Sequence, residues 1–208
     1  MKRPRALAEG ARSILGRPLS DRELDQCHKY LNILRKWQQS QRLLGSDDAD
    51  WIIENILLDS LLFVKVLPRG STEILDLGAG AGIPGIPLAI ALPRARLTLV
   101  EARRKRVSFL ANALRELGLE NTRLVRVRLE VDTIPPDLAR AFDAVVMRCA
   151  GDSSEVIPIG LELAKPGGLV IASGPPHPRP LPWGDWVEVP GIRRGMTRRF
   201  AVIQRPLA

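Results

Sequence analysis

Cysteine and histidine are scarce in this chain, long apolar runs are missing, and each shortage removes a class of function. The two cysteines, Cys27 and Cys149, lie far apart and outside any metal-ligand spacing. A disulfide framework and a cysteine-based metal site are thereby excluded, and a reducing, cytoplasmic setting is expected. The two histidines, His28 and His177, also stand apart. His28 reads as packing at a core edge, and His177 sits among prolines in Gly174-Pro-Pro-His-Pro-Arg-Pro-Leu-Pro182, a loop composition. No apolar stretch approaches membrane-spanning length, and Met1-Lys2-Arg3-Pro4-Arg5 is followed by alanines and charges, so neither a membrane span nor a secretory signal is predicted. No metal site, internal repeat or low-complexity tract is expected either.

Acidic residues are thin at both ends. The first 22 residues hold Lys2, Arg3, Arg5, Arg12, Arg17 and Arg22 against Glu9 and Asp21, and the stretch from Gly191 onward holds five arginines and no acid, within a formal net charge of +8. Arginine pairs bidentately with phosphate oxygens, which makes nucleic acid the leading partner class, a generally basic surface being the other reading. A chain of 208 residues with 45% hydrophobic content can bury one sizeable core.

What is present is organised around Glu73-Ile-Leu-Asp-Leu-Gly-Ala-Gly-Ala-Gly-Ile-Pro-Gly85. A short apolar strand runs into Gly78, Gly80 and Gly82, and Pro84 and Pro87 stand where a helix can begin. Such a turn lets a ligand approach the backbone and offers free N–H groups. The dinucleotide fingerprint wants a third glycine at position 83, where this chain has Ile83. The pattern acid-x-Gly-x-Gly-x-Gly, opened by Asp76, instead resembles motif I of the class I S-adenosylmethionine methyltransferases. An apolar helix and the strand Leu97-Thr-Leu-Val100 follow, ending in Glu101. A carboxylate there, about 20 residues past the glycines, can accept from both hydroxyls of a ribose; a solvated strand-end acid is the alternative.

Along the chain, Ser20-Asp-Arg-Glu23 spells a capping box ahead of an amphipathic helix to about Trp37. Tyr30 in that helix reads as core-edge packing. Residues 38–50 read as a loop, and Trp51 to Leu67 as a helix apolar over most of its surface. Helix from Arg104 to Leu117 with Gly118 as its cap, strand from Arg123 to Glu130, strand from Ala141 to Met147, helix from Ser153 to Ala164, turn at Lys165–Gly168 and strand from Leu169 to Ser173 follow. Trp183 to Val189 and Arg199 to Gln204 read as a closing antiparallel hairpin. The alternation predicts a doubly wound, mostly parallel, seven-stranded α/β sheet, with residues 1–68 as a helical extension packed on a 69–208 domain. In such sheets ligands gather beyond the carboxyl ends of the strands, where Asp76 to Ile83, Glu101, Glu130 and Arg148 all fall.

Asp76-Leu-Gly-Ala-Gly-Ala-Gly-Ile-Pro-Gly-Ile-Pro-Leu88, Leu99-Val-Glu-Ala-Arg-Arg-Lys-Arg-Val-Ser-Phe-Leu110, Glu116-Leu-Gly-Leu-Glu-Asn121, Arg128-Leu-Glu130 and Phe142-Asp-Ala-Val-Val-Met-Arg148 together resemble the bacterial small-subunit ribosomal RNA guanine-N7 methyltransferases, the glucose-inhibited division protein B family. The resemblance implies a Rossmann-like class I fold and S-adenosyl-L-methionine as cofactor. It implies that Gly78, Ala79, Gly80, Gly82 and Ile83 line the cofactor pocket, with Asp76 facing the methionine end, Glu101 and Ala102 at the ribose, Leu129 and Glu130 by the adenine, and Arg148 between cofactor and substrate. Three family features differ: Asn-Leu-Thr is Arg42-Leu43-Leu44, a histidine is Ile56, and lysine-glycine is Ser173-Gly174.

Methylation at guanine N7 uses a lone pair that carries no proton, so alignment of nucleophile, methyl and sulfur suffices, in keeping with the lack of an acid–base cluster. Met147-Arg148-Cys149-Ala150 stands where an exocyclic-amine enzyme would show Asp/Asn-Pro-Pro-aromatic, and Cys149 reads as packing rather than as a nucleophile. Arg148 is the expected catalytic residue, anchoring a phosphate or the guanine edge. Arg128, Arg193, Arg194, Arg198 and Arg199 are the expected RNA contacts of a monomer acting on ribosomal RNA or the small ribosomal subunit. A small-molecule methyltransferase and a non-catalytic RNA-binding relic of the fold are the alternatives.

Overall fold

The computed structural model of the chain describes residues 3–148, 153–174, 181 and 184–207; Cys149 and His177 lie outside them. Seven strands form one sheet: β1 Glu73–Leu77, β2 Arg96–Val100, β3 Thr122–Val125, β4 Phe142–Met147, β5 Ala164–Ser173, β6 Asp185–Pro190 and β7 Thr197–Gln204. Their order is β3-β2-β1-β4-β5-β7-β6. The first five are parallel, and β7 enters antiparallel between β5 and β6. Chain order reverses between β1 and β4, so the carboxyl ends of those two strands open the crevice in which a sheet of this kind takes a ligand. Ile74, Leu75, Val145 and Val146 are buried, as expected of central strands covered on both faces.

Helices α1 Arg3–Leu15, α2 Asp21–Gln41, α3 Ala49–Ile52, α4 Asp59–Leu61, α5 Gly85–Ala91, α6 Arg104–Leu117 and α7 Ser153–Leu163 accompany the sheet. The capping box forms as spelled: the Ser20 hydroxyl accepts from the Glu23 N–H at 3.3 Å and the Glu23 carboxylate accepts from the Ser20 N–H at 2.7 Å. Arg17 clamps the same carboxylate at 2.6 Å and donates to the Ala91 carbonyl at 2.8 Å, fixing the start of α2 against the end of α5. Every residue of α5 is buried, while α6 buries Phe109, Leu110, Ala113 and Leu117 and ends on Gly118 in the left-handed region. Leu7, Tyr30, Ile52 and Phe63 share one apolar cluster with Ile74, Leu97 and Phe109, so the amino-terminal helices and the sheet bury a continuous core.

Several boundaries differ from the sequence expectation. Helix α1 had no counterpart there, and α2 continues to Gln41, shortening the expected loop. The helix expected over 51–67 starts at Ala49 and changes winding, passing through a π-helical turn at Ile53–Leu58 and ending as a 3-10 turn at Leu62–Lys65. Strand β3 stops at Val125 because β2, the strand it pairs with, ends at Val100 and turns away after the Glu101 N–H donates to the Val125 carbonyl; Arg126 to Glu130 continue without a strand partner among the described residues. The expected turn at Lys165–Gly168 is instead the irregular opening of β5, where the register with β4 shifts between Phe142 and Ala144. No helix among the described residues is long and apolar enough to cross a membrane.

Candidate active site

The glycine loop leaves β1 at the crevice and is tied down at three points, two at the end of β2 and one from α2. From β2, the Val100 carbonyl accepts from the Ala79 N–H at 2.9 Å. Next to it, Glu101 is buried and splits its carboxylate: one oxygen accepts from the Gly80 N–H at 3.0 Å and the other from the Arg103 N–H at 2.8 Å. Arg106 approaches the first oxygen to 3.6 Å. From α2, the fully buried Tyr30 donates its hydroxyl to the Ala81 carbonyl at 2.5 Å. Gly82 takes φ +82° where a Cβ would drive into the Ile86 side chain, so the turn admits glycine alone.

Asp76 lies under the loop with no exposed surface. One carboxylate oxygen accepts from the Gly85 N–H at 2.8 Å, and a Cβ on Gly85 would come within 2.6 Å of that oxygen, so the close approach of α5 to β1 needs a glycine. The other oxygen has no hydrogen-bond partner among the described residues. Burial pushes the Asp76 pKa up to about 7, the Gly85 N–H opposing and the charge of Glu101 adding to the rise. A buried acceptor oxygen without a donor, beside a left-handed glycine turn and a second carboxylate, suits a ligand that brings its own cationic N–H group.

Leu129 is buried in the same apolar cluster as Val100 and Leu75, while Glu130 beside it is exposed. Ala102 and Gly78 are exposed on the same rim, and Ile83 is half-buried. Arg148, at the carboxyl end of β4, donates to the Asn55 carbonyl at 2.9 Å and lies 3.5 Å from Asp59. Burial draws its guanidinium below the ordinary arginine pKa; Asp59 resists that and Arg198 reinforces it. Asp76, the glycine loop and Glu101 thus come together where β1 and β2 end, with Gly80 and Glu101 in direct hydrogen-bond contact, while Arg148 follows β4 and Leu129 and Glu130 follow β3.

The arginines named as RNA contacts scatter by environment. Arg194 and Arg128 are exposed, the latter 3.8 Å from Glu130. Arg193 is exposed and pairs with Glu54 at 2.5 Å, and Arg199 pairs across the β6–β7 ladder with Glu188 at 2.6 Å. Arg198 is turned inward onto Asp59, 3.0 Å away, and donates to the Gly174 carbonyl at 2.8 Å. Sequence reasoning gave no role to Glu54, Asn55 and Asp59, and it took Tyr30 for packing. The available signals were an acid inside a largely apolar helix and the only tyrosine of the chain.

A family model described as rRNA small subunit methyltransferase G (GidB) matches residues 23–174. A ribosomal RNA small subunit methyltransferase G of Xanthomonas axonopodis pv. citri is 33% identical over 202 residues, covering 90% of this chain and 92% of its own. The protein of the same description from Acetivibrio thermocellus is 30% identical over 172 residues, covering 83% and 71%. Among solved structures, the O-methyltransferase TomG from Streptomyces achromogenes, in complex with S-adenosylmethionine, aligns with a TM-score of 0.58 at 21% identity, covering 87% of this chain and 89% of its own. An S-adenosylmethionine-dependent methyltransferase from Aquifex aeolicus aligns at 0.53 and 18% identity, covering 74% and 93%. At these identities the structural likeness establishes the class I, Rossmann-like fold.

Proposed function

The chain belongs to the rRNA small subunit methyltransferase G family, and from that premise we propose that it is an S-adenosylmethionine-dependent methyltransferase acting on N7 of a guanine in small-subunit ribosomal RNA. The observation that carries the reading is the pair of buried carboxylates around the glycine loop, Glu101 on the Gly80 N–H and Asp76 with one acceptor oxygen unmatched. Glu101 would exchange its contacts for ribose hydroxyls, and Asp76 would accept from the amino end of the methionine moiety. Gly78, Ala79, Gly80, Gly82 and Ile83 would pass along the nucleoside, with Ala102 beside Glu101 at the ribose and Leu129 and Glu130 toward the base.

When bound, S-adenosylmethionine supplies a methyl group on a sulfonium. The protein's own work is then to hold the guanine in line, to exclude water and to place positive charge where the RNA backbone crosses the rim. No general base is required at N7, which already presents a lone pair. Arg148 would touch substrate at the mouth of the crevice and is the residue assigned to catalysis. Arg128, Arg193, Arg194, Arg198 and Arg199 would bear on phosphates, the exposed Arg193 by exchanging its half-buried partner Glu54. Residues 1–68 would act as a helical extension of a 69–208 methyltransferase domain, and the chain would work as a monomer in the cytoplasm on ribosomal RNA or the small subunit.

Mapping N7-methylated guanines in ribosomal RNA from cells with and without the gene tests the assignment, together with transfer by the purified protein to RNA from the deleted strain. Arg148→Ala should abolish transfer while leaving the protein folded; unchanged turnover removes Arg148 from the assignment. Transfer to a metabolite pool, with none to RNA, would make the chain a small-molecule enzyme. Absence of S-adenosylmethionine binding by calorimetry would leave a relic of the fold.

A further inference from the structure

The helical segment that changes winding at Ile53–Leu58 presents its polar groups to arginines distant in sequence. Asp59, first residue of α4, lies between Arg148 at the end of β4 and Arg198 of β7: Arg198 Nε is 3.0 Å from one carboxylate oxygen, its Nη2 donates to the other at 3.4 Å, and Arg148 Nη2 is 3.5 Å from that second oxygen. Each guanidinium has further anchors. Arg148 donates to the Asn55 carbonyl at 2.9 Å, one turn before Asp59. Arg198 donates to the Gly174 carbonyl at 2.8 Å and lies 5.9 Å over the Phe200 ring, which itself packs edge-on against Phe63 of the same helical segment.

The charges do not balance. Two guanidinium groups face one carboxylate, so among the described residues the cluster keeps one uncompensated positive charge at the mouth of the crevice. The side chains are 29% and 23% exposed for Arg148 and Arg198, against 13% for Asp59. The carboxylate is therefore the inner member and the two cations the outer ones. Each arginine has five N–H donors, and some of each set are left over after the contacts above. Two planar forks held side by side by a common acid match the oxygens of one phosphodiester. Without the acid, the two guanidinium groups would repel each other and part.

We propose that Asp59 is a positioning residue that locks Arg148 and Arg198 into a subsite for a single backbone phosphate of the RNA beside the methylated base. The inference rests on the proposed methyl transfer to RNA and adds its substrate contact. A phosphate is chosen over the carboxylate of the cofactor because Arg198 comes from β7, three strands from β1, roughly 14 Å along the sheet at about 4.8 Å per strand. That is the side away from β2, after which Glu101 follows.

The test compares wild type, Asp59→Asn, Asp59→Glu, Arg198→Gln and the double variant Asp59→Asn/Arg198→Gln. It measures cofactor affinity by calorimetry, affinity for small-subunit ribosomal RNA from the deleted strain across a salt series, kcat, KM and melting temperature. Asp59→Asn removes a negative charge, so RNA should bind as tightly or more tightly, with a salt slope steeper by up to about 0.7, while kcat falls at least tenfold and cofactor affinity stays within twofold. Asp59→Glu should recover part of the turnover. Arg198→Gln should raise KM for RNA about tenfold and flatten the slope by about 0.7. A merely structural carboxylate would instead lower RNA affinity, cofactor affinity and melting temperature together. Should Asp59→Asn fold poorly, the double variant removes the repulsion and should restore the melting temperature; failure to do so overturns the proposal. Wild-type turnover in Asp59→Asn also overturns it, as does a loss of cofactor affinity equal to the loss for RNA in Arg198→Gln. Inactivity of the wild type on ribosomal RNA refutes the parent reading, and the subsite with it; the variants bear on the subsite alone.

Discussion

Ionising Asp76 in the cofactor-free protein should weaken the fold, and the effect is large enough to measure. The carboxyl group is buried, with one oxygen on the Gly85 N–H and the other without a donor, so the charged form loses its water and regains one hydrogen bond. Its folded pKa of about 7 stands above the ordinary 3.8. The folded state therefore holds this proton more tightly than the unfolded chain does. Stability from this group is full below pH 4, declines as pH rises from about 4 to 7, and is flat above. At about 1.4 kcal/mol for each pH unit, the loss amounts to roughly 4 kcal/mol at most, or on the order of 10 °C in melting temperature for a chain of this size. Asp76→Asn cannot ionise. The gap in melting temperature between the variant and wild type should widen in favour of the variant between pH 4.5 and 8. Scanning both proteins in the same buffers cancels the other titrating groups. Saturating S-adenosylmethionine, whose amino group can donate to the unmatched oxygen, should close the gap for the wild type and do little for the variant. Parallel melting profiles across that pH range would show that Asp76 stays in one ionisation state and would refute the effect assigned to its unmatched oxygen.

Tyr30→Phe keeps the ring and leaves the buried Ala81 carbonyl without its donor, so it should cost about 1–3 kcal/mol in denaturant unfolding and weaken cofactor binding; unchanged values in both would mean the loop holds its shape unaided. Glu101→Gln should bind S-adenosylmethionine at least tenfold more weakly by calorimetry and should also lose about 1–3 kcal/mol of stability, because Gly80 and Arg103 donate to different carboxylate oxygens and the amide keeps only one acceptor. Asp143 would be raised by its burial, but Lys165 and the Glu73 and Thr72 N–H groups outweigh that and hold it at about 2. Asp143→Asn should therefore cost about 1–2 kcal/mol after allowance for solvent screening, fully expressed at pH 5–7 and vanishing as pH falls through 4 toward 2, read from urea unfolding at each pH.

Local chemistry made most of the fold legible. Strand β1, the glycine turn, the capping box at Ser20 and the cap at Gly118 are each written in adjacent residues, and each forms where those residues stand. What could not be read depends on neighbours far along the chain. Arg126 to Glu130 alternate as a strand should, yet a strand needs a partner, and β2 has already turned into α6 at that height. Lys165-Pro-Gly-Gly168 has the composition of a turn, yet its backbone lies at the opening of β5, where the register with β4 shifts. Apolar periodicity marks the segment from Trp51 onward as helical but does not distinguish an α turn from the π turn found at Ile53–Leu58.

The site divides in the same way. Asp76, the glycines and Glu101 fall within 26 residues of sequence, and one βαβ unit brings them together. The arginine cluster is assembled from positions 59, 148 and 198, separated by two long spans of chain and joined only when β7 inserts beside β5. A basic tail read as sequence suggests a set of equivalent phosphate contacts. Folding makes its members unequal, since Arg198 is held inward by Asp59 and Phe200 whereas Arg194 is exposed. The two should then differ in how they respond to salt and to lysine. At the Arg194 position a lysine supplies the same charge in water and should leave kcat intact. At the Arg198 position it cannot bridge the acid, the Gly174 carbonyl and a phosphate at once. Arg198→Lys should therefore lose turnover at every ionic strength, while Arg194→Lys should be indistinguishable from wild type; equal behaviour of the two would mean that the tail acts by charge alone.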